Sequence, residues 1–154
     1  MDIFEELAQL TLQFKEQQIE YALCGGLAMA VYAFPRATMD IDILIEPDTL
    51  HKAKSIANTL GFSFETKIMS FKEGAIQIVR LTKIDPESED FLALDMLLVT
   101  PQIKPIWEKR QQLRWERGEI PVVSPEGLIQ LKSMRGSGQD QDDIQHLREM
   151  IDEG

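Results

Sequence analysis

YALCGGLAMAVYAFPRATMDIDILI, residues 21–45, is the stretch on which the reading of this chain turns. Tyr21 to Cys24 is short and apolar, as a buried strand is. Gly25-Gly26 turns the chain, and Leu27 to Tyr32 follows as a helix whose alanines allow close packing on a sheet. Pro35 is expected to end that helix, because proline lacks the amide donor and clashes with the preceding turn. Met39 to Ile45 then alternates, with Ile41, Ile43 and Ile45 on one side and Asp40, Asp42 and Leu44 on the other. Two acids on one face of a half-buried strand are costly unless something cationic neutralises them.

Outward from this stretch the pattern keeps switching between helical and strand periods. Residues 2–18 read as an amphipathic helix with Ile3, Phe4, Leu7, Leu10, Thr11 and Phe14 on one side. Pro47 opens a helix with an apolar stripe from Leu50 to Leu60, closed by Gly61. Phe62 to Ile68 and Ala75 to Leu81 read as a hairpin turning at Lys72-Glu73-Gly74. Phe91 to Val99 is the most apolar strand, hence expected at the centre of a sheet, and it carries Asp95. A helix is expected over residues 102–112, two short strands around Gly118, and a helix capped by Ser124 with Pro125 at its first position. Gly136-Ser137-Gly138 breaks it, and Gln139 to Ile151 forms a last acidic helix. The succession implies an α+β fold with a small mixed β-sheet flanked by helices and C-terminal helices.

Composition narrows the class. A chain of 154 residues is the usual size of one domain, so residues 1–154 are read as a single unit, with a core over about 19–100 and a C-terminal helical extension over about 101–154. One cysteine, Cys24, excludes an internal disulfide framework and fits a reducing compartment. The first residues lack a basic segment followed by an apolar one, and no apolar run approaches a membrane span, so a cytoplasmic protein with no membrane partner is expected. The net charge of -10 argues against a surface devoted to nucleic acid and suits divalent cations or a basic partner. Lys104, Lys109, Arg110, Arg114 and Arg117 cluster in sequence, and a solvated surface is the favoured reading of them over a basic groove.

The acids carry the chemistry. Asp40 and Asp42 point the same way, roughly 6.5 Å apart along the strand. Asp95 stands in a separate apolar strand, where it needs a metal, a backbone amide or a nearby arginine. Hard divalent ions such as Mg²⁺ take carboxylate oxygens and bring phosphates as further ligands, and a pair of ions roughly 4 Å apart serves an in-line phosphoryl transfer. A Gly-Gly pair between strand and helix lets backbone amides approach a phosphate closely. Singly these features are weak. Their order discriminates: strand, Gly-Gly, helix, an Asp-x-Asp strand, then a third acid on a later strand.

In that order the chain resembles the nucleotidyltransferases of the polymerase-β superfamily, and among them the minimal bacterial members, including relatives of abortive-infection toxins. The resemblance rests on Gly25-Gly26, on Arg36-x-Thr38-x-Asp40-Ile41-Asp42, on Asp95, and on Leu131-Lys132 followed by Arg135, Asp140, Asp143 and Ile144. It implies a polymerase-β-like fold and Mg²⁺-dependent transfer of a nucleoside monophosphate from an NTP to a hydroxyl, with pyrophosphate released. It implies that Asp40, Asp42 and Asp95 bind Mg²⁺ in a two-ion site, and that Asp95 helps deprotonate or orient the acceptor hydroxyl. Gly25 and Gly26 would cradle the phosphates, Lys132 would reach the triphosphate, and Arg36 and Thr38 would lie at the rim. Many active relatives carry Gly-Ser at the turn, whereas this chain has the Gly-Gly of the bacterial branch. Only 59 residues follow Asp95, which leaves a homodimer or a cognate partner chain to complete the site.

The acceptor is left open by the sequence: a protein side chain, an RNA end or a small molecule. The competing reading is a catalytically weak or inactive nucleotide-binding module in a toxin–antitoxin-like pair; the presence of all three acids favours the enzyme. His51 and His146 share no metal-ligand spacing and read as surface residues, and Cys24 as packing.

Overall fold

The isoleucines and aspartates of residues 40–45 alternate, and the sheet is assembled around that alternation. The computed structural model describes residues 1–32, 40–135 and 138–153. In chain order these form α1 (Ile3–Glu16), β1 (Ala22–Cys24), α2 (Gly25–Val31), β2 (Asp40–Ile45), α3 (Leu50–Thr59), β3 (Phe64–Glu65) and β4 (Met69–Phe71). They continue with β5 (Ile76–Ile84), β6 (Phe91–Leu98), α4 (Lys104–Glu108), β7 (Gln111–Trp115), β8 (Gly118–Val122), α5 (Pro125–Arg135) and α6 (Gly138–Glu153).

The strands join in one mixed sheet of order β3-β5-β6-β2-β1-β8-β7, with β4 also on β5. β2 pairs parallel with β6, and β1 parallel with β8. The other pairings are antiparallel. β6 and β2 therefore occupy the interior, as the apolar run Phe91 to Val99 implies. Ile41, Ile43 and Ile45 are buried on one face of β2, and Leu44 is buried on the other. A strand covered on both faces is what a parallel neighbour usually brings, since the crossover lays helices over the sheet.

The helix ends follow local chemistry. The Asp2 carboxylate accepts from the Phe4 amide at 2.9 Å and caps α1, whose Leu7, Leu10 and Phe14 enter the core. Ser124 Oγ accepts from the Gly127 amide at 3.1 Å, the cap expected for α5.

Two stretches depart from expectation. The strand expected over 62–68 is only β3, and β4 takes a separate place along the same long edge of β5. β5 runs nine residues, longer than either outer strand, so two short pieces share its edge; short pieces also limit edge-to-edge pairing with other chains. The helix expected over 102–112 stops at Glu108. Arg110 donates to the Trp107 carbonyl at 2.9 Å and its guanidinium lies 3.9 Å from the Trp107 ring, which closes the helix and frees Gln111 to start β7. Through β8 the segment after residue 101 joins the core sheet at β1. Among the described residues no helix is long and apolar enough to cross a membrane.

Candidate functional site

A row of four residues crosses four strands. Cys24 on β1 is the Cα partner of Asp42 on β2, Asp42 is the partner of Asp95 on β6, and Asp95 is the partner of Arg80 on β5. Partnered residues project to the same face. Asp40 is displaced from Asp42 by two residues along β2, so it shares that face. The three acids singled out in the sequence are thus brought to one side of the sheet, Asp42 and Asp95 on strands about 4.8 Å apart.

Burial grades along the site. Asp40 is half-buried, Asp42 is buried, and Asp95 is 1% exposed. Asp95 is neutralised by Arg80. Its Oδ1 accepts from Arg80 Nε at 2.7 Å and its Oδ2 from Nη2 at 2.8 Å, the two-pronged geometry in which a guanidinium matches a carboxylate. The Arg80 pKa lies above its ordinary value, chiefly through this hydrogen bonding, with the charges of Asp95, Asp40 and Asp42 adding to it and burial opposing. Of the partners that sequence reasoning left open for Asp95, the structure shows the arginine. Arg80 itself was missed: its only signal was a lone cation in the apolar strand AIQIVRL.

Gly25 is fitted to Asp42. Its φ is +68°, in the left-handed region, and an added Cβ would lie 2.2 Å from Asp42 Oδ2. Only a residue without a side chain lets the Asp42 carboxylate sit over the β1–α2 junction. Gly26 follows as a buried residue of α2. Arg36 and Thr38, with Pro35 and Met39, lie outside the described residues.

Lys132 is engaged within the fold. It is buried on α5, and its Nζ donates to Asp143 Oδ2 of α6 at 2.9 Å. The basic stretch after residue 103 is dispersed onto separate acids: Lys104 with Glu46, Arg110 with Glu20, Arg117 with Glu5. His51 and His146 are exposed and Cys24 is buried. Tyr32, at the end of α2, donates to the Val123 carbonyl at 3.0 Å, and burial, with the charge of Glu126, pushes its hydroxyl pKa up to about 12.

Among the described residues no three His, Cys, Asp or Glu side chains form a ready metal cage. The donor chemistry nevertheless fits a hard divalent ion: Asp40 and Asp42 present carboxylate oxygens from one face, beside a glycine whose missing side chain leaves Asp42 its place.

No family model and no curated protein matches the sequence. Solved structures do match. A Thermotoga maritima protein assigned as a nucleotidyltransferase is 17% identical, covering 99% of this chain and 94% of its own, with a TM-score of 0.60. The lincosamide antibiotic adenylyltransferase LnuA, solved with lincomycin bound, is 17% identical, covers 94% of this chain and 95% of its own, and has a TM-score of 0.61. The antibiotic-resistance factor ANT(2'')-Ia is 12% identical, covers 98% of this chain and 86% of its own, and has a TM-score of 0.60. Another structure of ANT(2'')-Ia holds adenylyl-2''-tobramycin, at 11% identity and a TM-score of 0.55. The chain has the nucleotidyltransferase fold.

Proposed function

We propose that this chain transfers a nucleoside monophosphate from an NTP to a hydroxyl, releasing pyrophosphate. The observation that carries the reading is the row of Asp42, Asp95 and Arg80 with Asp40 on the same face, set against Gly25 on a nucleotidyltransferase fold. Asp40 and Asp42 would hold Mg²⁺, which when bound screens phosphate charge and polarises the phosphoryl oxygens. The Gly25-Gly26 backbone would approach the phosphates where side chains would obstruct it. Asp95, held in one orientation by Arg80, would accept the hydrogen bond of the acceptor hydroxyl and take up its proton as that oxygen bonds to the α-phosphorus and the bond to the bridging oxygen breaks. Lys132 would reach the triphosphate only if its pair with Asp143 opened, and Arg36 and Thr38 would lie at the rim.

The structures of LnuA with lincomycin and ANT(2'')-Ia with adenylyl-2''-tobramycin favour a small-molecule hydroxyl over a protein or RNA acceptor. The test is incubation with each radiolabelled NTP and Mg²⁺ against a panel of hydroxylated small molecules, tRNA and protein lysate. Label is expected in the small-molecule fraction. Label in tRNA or protein would reassign the acceptor, and none anywhere, with NTP still bound, would favour the inactive module. The Asp40→Asn/Asp42→Asn pair is expected to stay folded and lose metal-dependent NTP binding. Unchanged affinity in calorimetry would sink the site.

A further inference from the structure

Asp95 is the acid that a two-ion site would have to share between cations. Both its oxygens already accept from one guanidinium, at 2.7 and 2.8 Å, and at 1% exposure it has little freedom to turn elsewhere. A divalent ion placed on Asp95 would stand against the Arg80 charge at close range, in a partly buried setting where like charges repel strongly. We propose that Arg80 stands in for the second metal ion, so that the site takes a single divalent ion, held by Asp40 and Asp42. The inference rests on the nucleotidyl-transfer reading and deepens it by fixing the cation content of the site.

Two further observations support it. Arg80 comes from β5, a strand already held to β6 by seven paired positions from Ile78↔Leu97 to Ile84↔Phe91, so the pairing of these strands does not depend on the guanidinium. Its side chain is 35% exposed while the carboxylate it grips is not. A guanidinium has more N–H donors than the two that Asp95 accepts, so Arg80 can meet a phosphate oxygen without releasing Asp95. Arg80 is thus a positioning residue for Asp95 and a fixed positive charge facing the substrate side.

The experiment counts bound Mn²⁺ by electron paramagnetic resonance, on the whole chain, first with Mn²⁺ alone and then with the α,β-methylene analogues of ATP, GTP, CTP and UTP. Wild type is expected to bind one Mn²⁺ per chain in both conditions, and Asp40→Asn to lose it. Arg80→Gln, which removes the charge and keeps donors, is expected to bind two. Arg80→Lys, which restores a point charge, is expected to return to one. Two Mn²⁺ per wild-type chain would overturn the proposal, and so would one Mn²⁺ in a folded Arg80→Gln. The wild-type count decides even if Arg80→Gln fails to fold. One ion with no analogue bound would leave the inference standing and remove the nucleotidyl-transfer reading; an analogue bound with two ions would do the reverse.

Discussion

Arg80–Asp95 and Lys132–Asp143 both set a buried carboxylate against a cation, and they are built for different ends. In the second pair both side chains are nearly inaccessible, 8% and 5% exposed, and the contact joins α5 to α6. In the first, only the acid is closed off and the cation is open to solvent, and the contact joins two strands that already share a ladder. Breaking a pair closed at both ends strains the fold, because it takes a counter-charge from a buried group. A pair open at one end keeps a charge available to a ligand. The depth of the cation, more than that of the acid, separates a clamp from a site.

The comparison is broken most easily at the clamp. Lys132→Ala removes the ammonium that pairs with the buried Asp143 and is expected to cost about 3–5 kcal/mol, read from urea unfolding; a loss under about 1 kcal/mol would mean that the pair does not hold the helices. Arg80→Ala is expected to cost less, about 1–3 kcal/mol, since the partly exposed guanidinium leaves a gap that water can enter to hydrate the Asp95 carboxylate. A larger loss than that of Lys132→Ala would reverse the ranking. Gly25→Ala forces a side chain into the left-handed region and onto the Asp42 carboxylate. It is expected to cost about 1–2 kcal/mol and to weaken Mn²⁺ binding at least tenfold; unchanged Mn²⁺ affinity would show that Asp42 does not need its position over Gly25.

The smallest effect lies on the link between the two regions. Tyr32 ties the end of α2 to Val123, just before α5. Tyr32→Phe is expected to cost about 1 kcal/mol through the lost hydrogen bond. Its pH dependence has a definite sign. The folded pKa is raised from the ordinary tyrosine value of 10.0 to about 12, so the folded state prefers the neutral hydroxyl. The stabilisation is complete below about pH 10 and falls away as pH rises towards 12. Burial raises Tyr21 in the same direction, so in thermal melts between pH 10 and 12 the variant should lose stability less steeply than wild type without becoming flat.

Much of the fold was legible because local rules decide it. Asp2 and Ser124 cap where their side-chain chemistry says they should, and the alternation of Asp40 to Ile45 is the pleat itself. The acids were legible too, since a carboxylate in the apolar run FLALDMLLV has few innocent explanations. The short α4 was not, because its end depends on Arg110 folding back on Trp107. The split edge beside β5 was not, because the length of a strand's partner is a property of the sheet. Arg80 was missed for the same reason: one cation in a strand says nothing about the residue opposite it.

By itself, then, the sequence determined most of the elements and the acids of the candidate site. Periodicity, caps and the cost of buried charge are written within a few residues of where they act, and so Gly25, Asp40, Asp42 and Asp95 could be singled out as candidates. The tertiary structure alone decided the pairings. The register of β2, β6 and β5 sets Asp42, Asp95 and Arg80 in one row, and the packing of α5 on α6 closes Lys132 onto Asp143. Which charge meets which is fixed by contacts between residues 11 to 53 positions apart, a range over which no local pattern in the chain carries information.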